Sequence, residues 1–216
     1  MDSLLLILPV LLFSIVLHEV AHAWVALREG DDTAERMGRI TLNPIPHLDP
    51  VGSVLVPVVL TVLGSGFLFG WARPVPVNRA NIRTGVWGDI RVSLAGIAVN
   101  LLLAVAFAAA LVPVVWLTSP GGPAEVIISV GYYGVVINLL LAVFNLIPIP
   151  PLDGSHVLGH LLPGAVRGIY RSIAPLGFLL ILGFFLVAPG GFSIIVRPVN
   201  FLAGILFAVF GISGRI

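Results

Sequence analysis

The stretch SIVLHEVAHAWVAL, residues 14–27, places two histidines and one glutamate inside an otherwise apolar run. His18 and His22 are four residues apart, so on a helix they lie on one face, about one turn from each other. Each ionisable group inside a membrane helix costs about 2.5–3.5 kcal/mol on insertion scales. Packing alone explains three such groups poorly, and we therefore interpret the stretch as a functional site in a membrane helix. The alternative is a helix end at which these polar groups are solvated.

The composition indicates an integral membrane protein. Of the 216 residues, 58% are apolar and only 10% are Asp, Glu, Lys or Arg, whereas soluble domains carry about 25% charged residues. The net charge of +1 and the scattered arginines give no reason to expect a nucleic-acid partner. The chain has no cysteine, which excludes disulfides and cysteine-ligated metal sites. Any metal must therefore be bound by histidines and carboxylates.

Apolar segments divide the chain into membrane spans. We predict an all-α polytopic membrane protein with about five transmembrane helices, plus a re-entrant or hairpin segment near 51–70, which Pro57 and several glycines interrupt. The predicted spans are 3–27, 92–117, 125–147, 173–189 and 198–213. We expect one membrane-embedded domain over residues 1–216, with its core in 3–160 and its C-terminal helices in 173–213.

The placement of arginine predicts the topology. Cytoplasmic loops collect positive charge, and the segments 28–50 and 71–91 carry most of the arginines. Both segments lie in the cytoplasm only if 51–70 enters and leaves the membrane on the same side. The alternative is a plain spanning helix over 51–70, which would leave four arginines outside.

The spacing of the histidines is that of a zinc site. Two imidazoles one helical turn apart can bind one zinc ion at about 2.0–2.1 Å. Glu19 lies beside a ligand and can act on a water molecule at the metal without being a ligand itself, which is the chemistry of an H-E-x-x-H pattern. A catalytic zinc usually has three protein ligands and one open position. A third ligand must therefore come from elsewhere in the chain.

Asp153 is the leading candidate for the third ligand. It lies in NLIPIPPLDGSHVL, where the prolines interrupt regular helical hydrogen bonding and Gly154 allows a tight turn. The alternative is an aspartate that caps a helix beginning near Ser155. If the N-terminus is outside, His18 lies about 22 Å into the first helix at 1.5 Å per residue. Asp153 can reach that depth only if 51–70 does not cross the membrane.

Two motifs give the chain a specific resemblance. His18-Glu19-Val20-Ala21-His22 and NLIPIPPLDG, residues 145–154, resemble the H-E-x-x-H and N-x-x-P-x-x-x-L-D-G motifs of site-2 protease family intramembrane metalloproteases. LNPIPHLDPVGSVLVP and GWARPVPVN also resemble the compact prokaryotic branch that lacks a PDZ domain. The resemblance covers residues 10–160. One departure is Ile97 in SLAGIAVN, where the family commonly has proline.

The resemblance implies a function. It implies one zinc ion per chain, bound by His18, His22 and Asp153, with Glu19 as the general base. It also implies hydrolysis of peptide bonds in or near transmembrane segments of membrane protein substrates, which is regulated intramembrane proteolysis. We accordingly expect an integral protein of a prokaryotic cell membrane, in contact with lipid, with its active site toward the cytoplasm. A partner protein that regulates cleavage is left open.

Several other polar residues have more than one interpretation. Asn145 and Asn100 lie at ends of spans and could hydrogen-bond substrate or a developing oxyanion, or else join helices. His47 fits a structural role in its loop. His156 and His160 repeat the four-residue spacing and form a rival metal pair without a carboxylate between them.

Two further hypotheses concern function. The 51–70 region could pair an extended substrate by strand addition at residues 53–56. Intramembrane His, Glu and Asp also occur along ion pathways, so an ion or metal transporter is the alternative to a protease. A catalytically silent zinc-binding membrane scaffold is a third interpretation.

Overall fold

The computed structural model describes residues 3–62, 70–118, 123–187, 190–191 and 193–216. Within these ranges the chain consists of helices and loops, without strands. The helices are α1 (Ser3–Arg28), α2 (Thr33–Arg36), α3 (Val56–Val62), α4 (Val86–Leu117), α5 (Pro123–Leu146), α6 (Asp153–Leu161), α7 (Gly164–Ser172), α8 (Gly177–Val187) and α9 (Ser193–Val209). Shorter helical turns occupy Ile45–His47, Pro50–Leu55, Arg79–Asn81 and Ala174–Leu176.

Three of these helices are long and apolar enough to cross a membrane. They are Leu4–Arg28, Val86–Leu117 and Pro123–Leu146. The predicted all-helical membrane architecture is confirmed at this level, but the number of five spans is not. Helices α8 and α9 have 11 and 17 residues, fewer than the roughly 20 that a perpendicular span needs. Helix α4 also begins at Val86 rather than at residue 92, because the segment that contains Asp89 and Arg91 is helical.

Small residues allow the central helices to pack closely. Helix α4 packs against α1 and α5, and α9 packs against α5. Added Cβ atoms at Gly131 and Gly134 of α5 would collide with Leu111 and Phe107 of α4, so these glycines permit the close approach that is common in membrane bundles. The buried core between α4, α5 and α9 comprises Ala104, Ala108, Leu111, Val115, Val135, Leu139, Ile195, Val199, Ala203 and Phe207.

The 51–70 segment starts as a helix. The Asp49 side chain accepts hydrogen bonds from the backbone N–H groups of Val51 and Gly52 and so begins the π-helical turn Pro50–Leu55, which continues into α3. The prediction of strand addition at residues 53–56 is therefore wrong, because these residues are helical. The rest of that segment, residues 63–69, lies outside the described residues.

The two ends of the same segment meet. The Trp71 N–H donates to the Gly52 carbonyl at 3.2 Å, and the Ser53 hydroxyl donates to the Trp71 carbonyl at 2.8 Å. A helix that crossed the membrane once would separate its ends by about 30 Å. The chain thus returns at residue 71 to the place that it left at residue 52.

From there an extended loop, residues 70–78, runs toward α1. The Arg73 N–H donates to the His47 carbonyl at 2.8 Å, and Nη2 of the buried Arg39 donates to the Arg73 carbonyl at 2.7 Å. The Asn78 N–H donates to Asp31 Oδ2 at 2.7 Å. His47 is itself buried and Nε2 donates to the Thr41 carbonyl, in agreement with a structural role. These contacts hold loop 70–78 across the polar end of α1.

Candidate active site

The three predicted metal ligands come together. Nε2 of His18 lies 3.2 Å from Asp153 Oδ2, and Nε2 of His22 lies 3.3 Å from the same oxygen. The two Nε2 atoms are 3.0 Å apart. Two ligand atoms on a tetrahedral zinc with bonds of 2.0–2.1 Å are about 3.3–3.4 Å apart. In the described part of the chain, this is the one group of three or more His, Asp or Glu side chains with metal-ligand spacing.

Each of the two histidines carries a proton on Nδ1, on the side of the ring away from Asp153. Nδ1 of His22 is 2.7 Å from the Val92 carbonyl, which can only accept, so this nitrogen carries the proton. Nδ1 of His18 is 2.6 Å from Asn100 Oδ1, which is also an acceptor. In the neutral form of each ring, Nε2 therefore presents a lone pair toward Asp153.

The ligand atoms fit a cation. Asp153 Oδ2 is buried and receives no hydrogen bond from the described residues. This oxygen and the two Nε2 atoms bring three lone pairs within 3.0–3.3 Å of one another. Such an arrangement is repulsive unless a positive charge lies between the atoms. The donor set of two imidazoles and one carboxylate is also one that zinc uses in catalytic sites.

The chain turns sharply to deliver Asp153. Helix α5 ends at Leu146, and α6 begins at Asp153 itself. A Cβ at Gly154 would collide with the Leu146 carbonyl, so only glycine permits this return of α6 onto the end of α5. The Tyr170 hydroxyl donates to the Pro148 carbonyl at 2.8 Å and braces the turn. The N-cap position of α6 is taken by Leu152, and Asp153 is the first helical residue, so the structure does not support the alternative of a capping aspartate.

Gly96 forms the wall behind the histidines. A Cβ at this position of α4 would collide with the rings of both His18 and His22. The imidazoles thus pack directly on the α4 backbone. Ile97, the departure from the family pattern, is buried within an uninterrupted α4. The role of Gly96 was not predicted, although its position four residues before Asn100 in SLAGIAVN was visible in the sequence.

Glu19 is held by loop 70–78. Its Oε2 accepts a hydrogen bond from the Val75 N–H at 2.7 Å, and the side chain is half-buried. Because Pro74 and Pro76 flank Val75 and have no N–H of their own, Val75 supplies the donor in this part of the loop. The loop therefore orients one carboxylate oxygen of Glu19 beside the histidine pair.

The two predicted asparagines lie in different surroundings. Asn100 is fully buried; its Oδ1 faces His18, and its Nδ2 donates to Asn138 Oδ1 at 2.9 Å. This is the geometry of an interhelical contact that orients His18. Asn145 is half-buried at the end of α5 and Nδ2 donates to the Leu141 carbonyl at 3.0 Å. A substrate contact by Asn145 stays a prediction.

A second polar cluster connects the start of α4 with α6. Asp89 Oδ2 accepts from Arg79 Nη1 at 2.8 Å and lies 2.6 Å from His160 Nε2. Burial and the nearby Arg79 cation lower the pKa of His156 to about 4, so this side chain is neutral near pH 7. In the described part of the chain, His156 and His160 do not join a three-ligand group. The contact between Asp89 and His160 was missed by sequence reasoning, because the two residues are 71 positions apart.

Comparisons with known proteins agree with this geometry. The model of the family described as Peptidase family M50 matches residues 118–188. The chain is 39% identical over 188 residues to "Putative zinc metalloprotease YwhC" of Bacillus subtilis (strain 168), covering 84% of this chain and 80% of that protein. It is 32% identical over 213 residues to "Putative zinc metalloprotease Rip2" of Mycobacterium tuberculosis (strain Erdman), covering 94% and 72%. No solved structure matches the chain.

These similarities define the class and the family. The chain is a zinc metalloprotease, and it has three helices long and apolar enough to cross a membrane and a group of side chains that could bind the metal. The chain belongs to peptidase family M50, the site-2 protease family. The family that the two motifs predicted is thus confirmed, and so is zinc as the cofactor.

Proposed function

We propose that the protein is an intramembrane protease, which hydrolyses peptide bonds in or near the transmembrane segments of membrane proteins. The observation that carries this proposal is the meeting of three unprotonated ligand atoms inside a bundle of membrane-length helices. Two of the ligands lie on α1, which is itself a candidate span. A peptide bond that reaches these atoms must come close to the bilayer. The proposed catalytic unit is one membrane-embedded domain over residues 1–216.

Each residue of the site has a proposed task. His18, His22 and Asp153 hold the zinc ion, which when bound supplies a Lewis acid for the scissile carbonyl and an attacking water molecule. Glu19 accepts a proton from that water and returns it to the amine nitrogen that leaves. The Val75 N–H holds Oε2 of Glu19 and so directs the carboxylate during both transfers.

The contacts at the ends of the 51–70 segment support a re-entrant topology. Gly52 and Trp71 are hydrogen-bonded, as expected of a segment that enters and leaves on one side. Such a return is consistent with Asp153 lying on the side of the membrane where α1 ends, close to His18 and His22. The arginines of the same end, among them Arg79 and Arg91, favour the cytoplasmic side by the positive-inside rule. We therefore propose a site that faces the cytoplasm in a prokaryotic cell membrane.

Membership of a peptidase family favours a protease over a transporter, which does not explain similarity to zinc metalloproteases over 84% of the chain. The presence of Glu19 argues against a silent scaffold, because a structural zinc does not need a general base. The proposed partners are a transmembrane protein substrate, the surrounding lipid and a regulatory protein.

The test is a cleavage assay on single-span membrane proteins reconstituted with the full chain in liposomes. Glu19→Gln should retain zinc and lose about 100-fold or more in cleavage rate, because the general base is absent. His22→Ala should lose zinc as well. Glu35→Gln, at an exposed position on α2, is the matched control and should behave as wild type. Undiminished cleavage by Glu19→Gln, or zinc-loaded wild type that cleaves none of the single-span proteins, would contradict the proposal.

A further inference from the structure

Asn138 is a buried polar residue that the proposed mechanism does not use. It lies within α5 and is fully buried. Its Nδ2 donates to the Gly134 carbonyl at 2.8 Å and to the Ser14 hydroxyl at 2.9 Å. Its Oδ1 accepts from Asn100 Nδ2 at 2.9 Å. The side chain thus links α5 with α1 and α4 by hydrogen bonds that are all inside the bundle.

The Gly134 carbonyl fixes the orientation of the Asn138 amide. A backbone carbonyl can only accept a hydrogen bond. The side-chain atom that lies 2.8 Å from it must therefore be the NH₂ group of Asn138 and not the oxygen. The hydroxyl of Ser14 can donate or accept, so it accommodates this orientation but does not determine it. The oxygen of Asn138 is consequently turned toward Asn100.

The orientation of Asn138 fixes that of Asn100 in turn. Two amide oxygens at 2.9 Å would repel each other without a proton between them, so Asn100 must present its NH₂ group to Asn138. Its oxygen then faces His18, and Nδ1 of His18 must be the protonated nitrogen. The reverse orientation of Asn100 would donate to Nδ1 and move the ring proton to Nε2. A protonated Nε2 cannot bind a metal ion.

We propose that Asn138 is a positioning residue that sets the tautomer of His18 through Asn100 and so enables the zinc site to form. The hydrogen bonds run in one direction from His18 to the Gly134 carbonyl. The proposal rests on the proposed function, because it requires His18 to be a ligand. Partners that orient metal-ligating histidines typically contribute 10–100-fold to metal affinity, and we expect Asn138 to fall in this range.

The first part of the experiment compares two residues of the same network. Zinc affinity of the full chain in detergent is measured by chelator competition, and Co²⁺-loaded protein gives a second readout from its visible spectrum. Asn138→Leu should weaken zinc binding about 10–100-fold and alter the cobalt spectrum. Ser14→Ala, the matched control, removes one partner of Asn138 but leaves the Gly134 carbonyl in place. It should change the affinity by less than about twofold, because the direction of the hydrogen bonds is kept.

The second part of the experiment separates the effect of hydrogen-bond direction from the effect of side-chain packing at Asn138. Asn100→Asp introduces a carboxylate, which can only accept hydrogen bonds. It therefore keeps the proton of His18 on Nδ1 without help from Asn138. Its other oxygen, however, faces the side-chain oxygen of Asn138 and is repelled by it. In this background Asn138→Leu removes the repulsion and should strengthen zinc binding or leave it unchanged. A packing role for Asn138 would instead weaken binding equally in both backgrounds. If Asn138→Leu does not fold, Asn138→Ser takes its place in both backgrounds. A hydroxyl both donates and accepts, so it does not fix the direction of the hydrogen bond with Asn100.

The outcomes are distinguishable from those that test the protease. Three results would each overturn the tautomer proposal: wild-type affinity in Asn138→Leu, equal losses in Asn138→Leu and Ser14→Ala, or equal weakening by Asn138→Leu with and without Asn100→Asp. Zinc binding that is unaffected by His22→Ala would instead overturn the metal site itself. Intact zinc binding with no proteolysis would refute only the proposed activity.

Discussion

Helix α4 carries two polar regions that flank the histidine pair and differ in kind. The first turns of the helix hold Asp89, which binds Arg79 and His160, and this region is charged. Eleven residues further along, Asn100 and Asn138 form a region of neutral amides. Gly96 lies between the two regions, against the imidazoles. One face of α4 therefore changes from charged to neutral as it passes the histidine pair.

The difference between the two regions shows one way to fix the position of a histidine proton inside a membrane. A charge within the bilayer is expensive, whereas an amide pair satisfies its own donors and acceptors and carries no net charge. The neutral region fixes the proton of His18 by the direction of its hydrogen bonds. The charged region, near the end of the helix, instead ties α6 to α4 through the contact of His160 with Asp89. The two regions should accordingly respond differently to mutation.

Gly96→Ala should have the largest effect, since it acts at the junction of the two regions. The new Cβ collides with both imidazole rings, and overpacking of this kind typically costs about 1–3 kcal/mol. We expect zinc affinity and cleavage rate each to fall about 100-fold or more, measured by chelator competition and by the liposome assay. Gly204→Ala on α9 is the control, because nothing among the described residues lies within 4 Å of its Cβ. Wild-type zinc affinity in Gly96→Ala would show that the histidines are not packed on α4.

Asp89→Asn tests the charged region. It removes the carboxylate that Arg79 and His160 share, so α6 is less firmly held and Asp153 is less well placed. We expect a loss of about 1.5–3 kcal/mol in the free energy of unfolding, which is usual for a hydrogen bond to a charged group. Zinc affinity should fall about 3- to 10-fold, which is less than for Asn138→Leu. Asp32→Asn, which breaks an exposed pair on α2, serves as the control.

A result in the opposite order would break the comparison. If Asp89→Asn weakened zinc binding more than Asn138→Leu did, the position of α6 would matter more than the tautomer of His18. The amide region would then be a packing contact and no more.

Asp31→Asn tests whether loop 70–78 directs Glu19. Asp31 accepts hydrogen bonds from the Asn78 N–H and the Asn81 amide, and it holds the end of the loop whose Val75 N–H contacts Glu19. We expect kcat to fall about 3- to 10-fold with zinc content unchanged, because the general base is displaced while the ligands are not. Parallel losses of zinc and activity would contradict this division of roles.

The same substitution should change the dependence of stability on pH. Burial alone would raise the pKa of Asp31, but hydrogen bonds from Thr33, Asn81 and the Asn78 backbone outweigh it and lower the pKa. A lowered pKa in the folded state means that the carboxylate stabilises the fold above the unfolded pKa of about 3.9 and loses this contribution as the pH falls below it. Thermal unfolding between pH 3 and pH 7 should therefore be flatter for Asp31→Asn than for wild type.

Arg91→Gln should have the smallest effect. Its Nε donates to Glu29 Oε1 at 2.7 Å, but 53% of the arginine side chain is exposed. Ion pairs that are exposed to water are screened and contribute little. We expect almost no change in unfolding temperature, and no change in zinc affinity, in about 0.5 M salt. A loss of zinc would mean that the charged region reaches the ligands through this pair.

The meeting of His18, His22 and Asp153 could be predicted from the sequence, and their role as metal ligands stays a prediction. His18 and His22 lie one helical turn apart in any helix, and Asp153 follows a proline-rich break that no regular helix would contain. The 51–70 segment shows the limit of such reasoning. Arginine placement predicted a segment that enters and leaves on one side, but the helix that Asp49 begins there was not predicted, and strand addition at residues 53–56 was wrong for that reason.

The long-range partners could not be predicted. Asn138 meets Asn100 across 38 positions, and His160 meets Asp89 across 71. Both contacts depend on the axial positions of α5 and α6 relative to α4. The apolar pattern of a membrane helix does not determine these positions. The number of five spans stays a prediction, because α8 and α9 are apolar but have only 11 and 17 residues.

The most direct test of the account is X-ray absorption spectroscopy at the zinc edge on the full chain loaded with one equivalent of zinc. The account predicts one bound zinc with two imidazole nitrogens at about 2.0–2.1 Å and carboxylate oxygen at about 2.0–2.2 Å. In His22→Ala the bound zinc should be lost, and the imidazole scattering should be lost with it. A zinc shell without imidazole scattering, or a shell that His22→Ala leaves unchanged, would contradict the claim that the three converging lone pairs form the metal site.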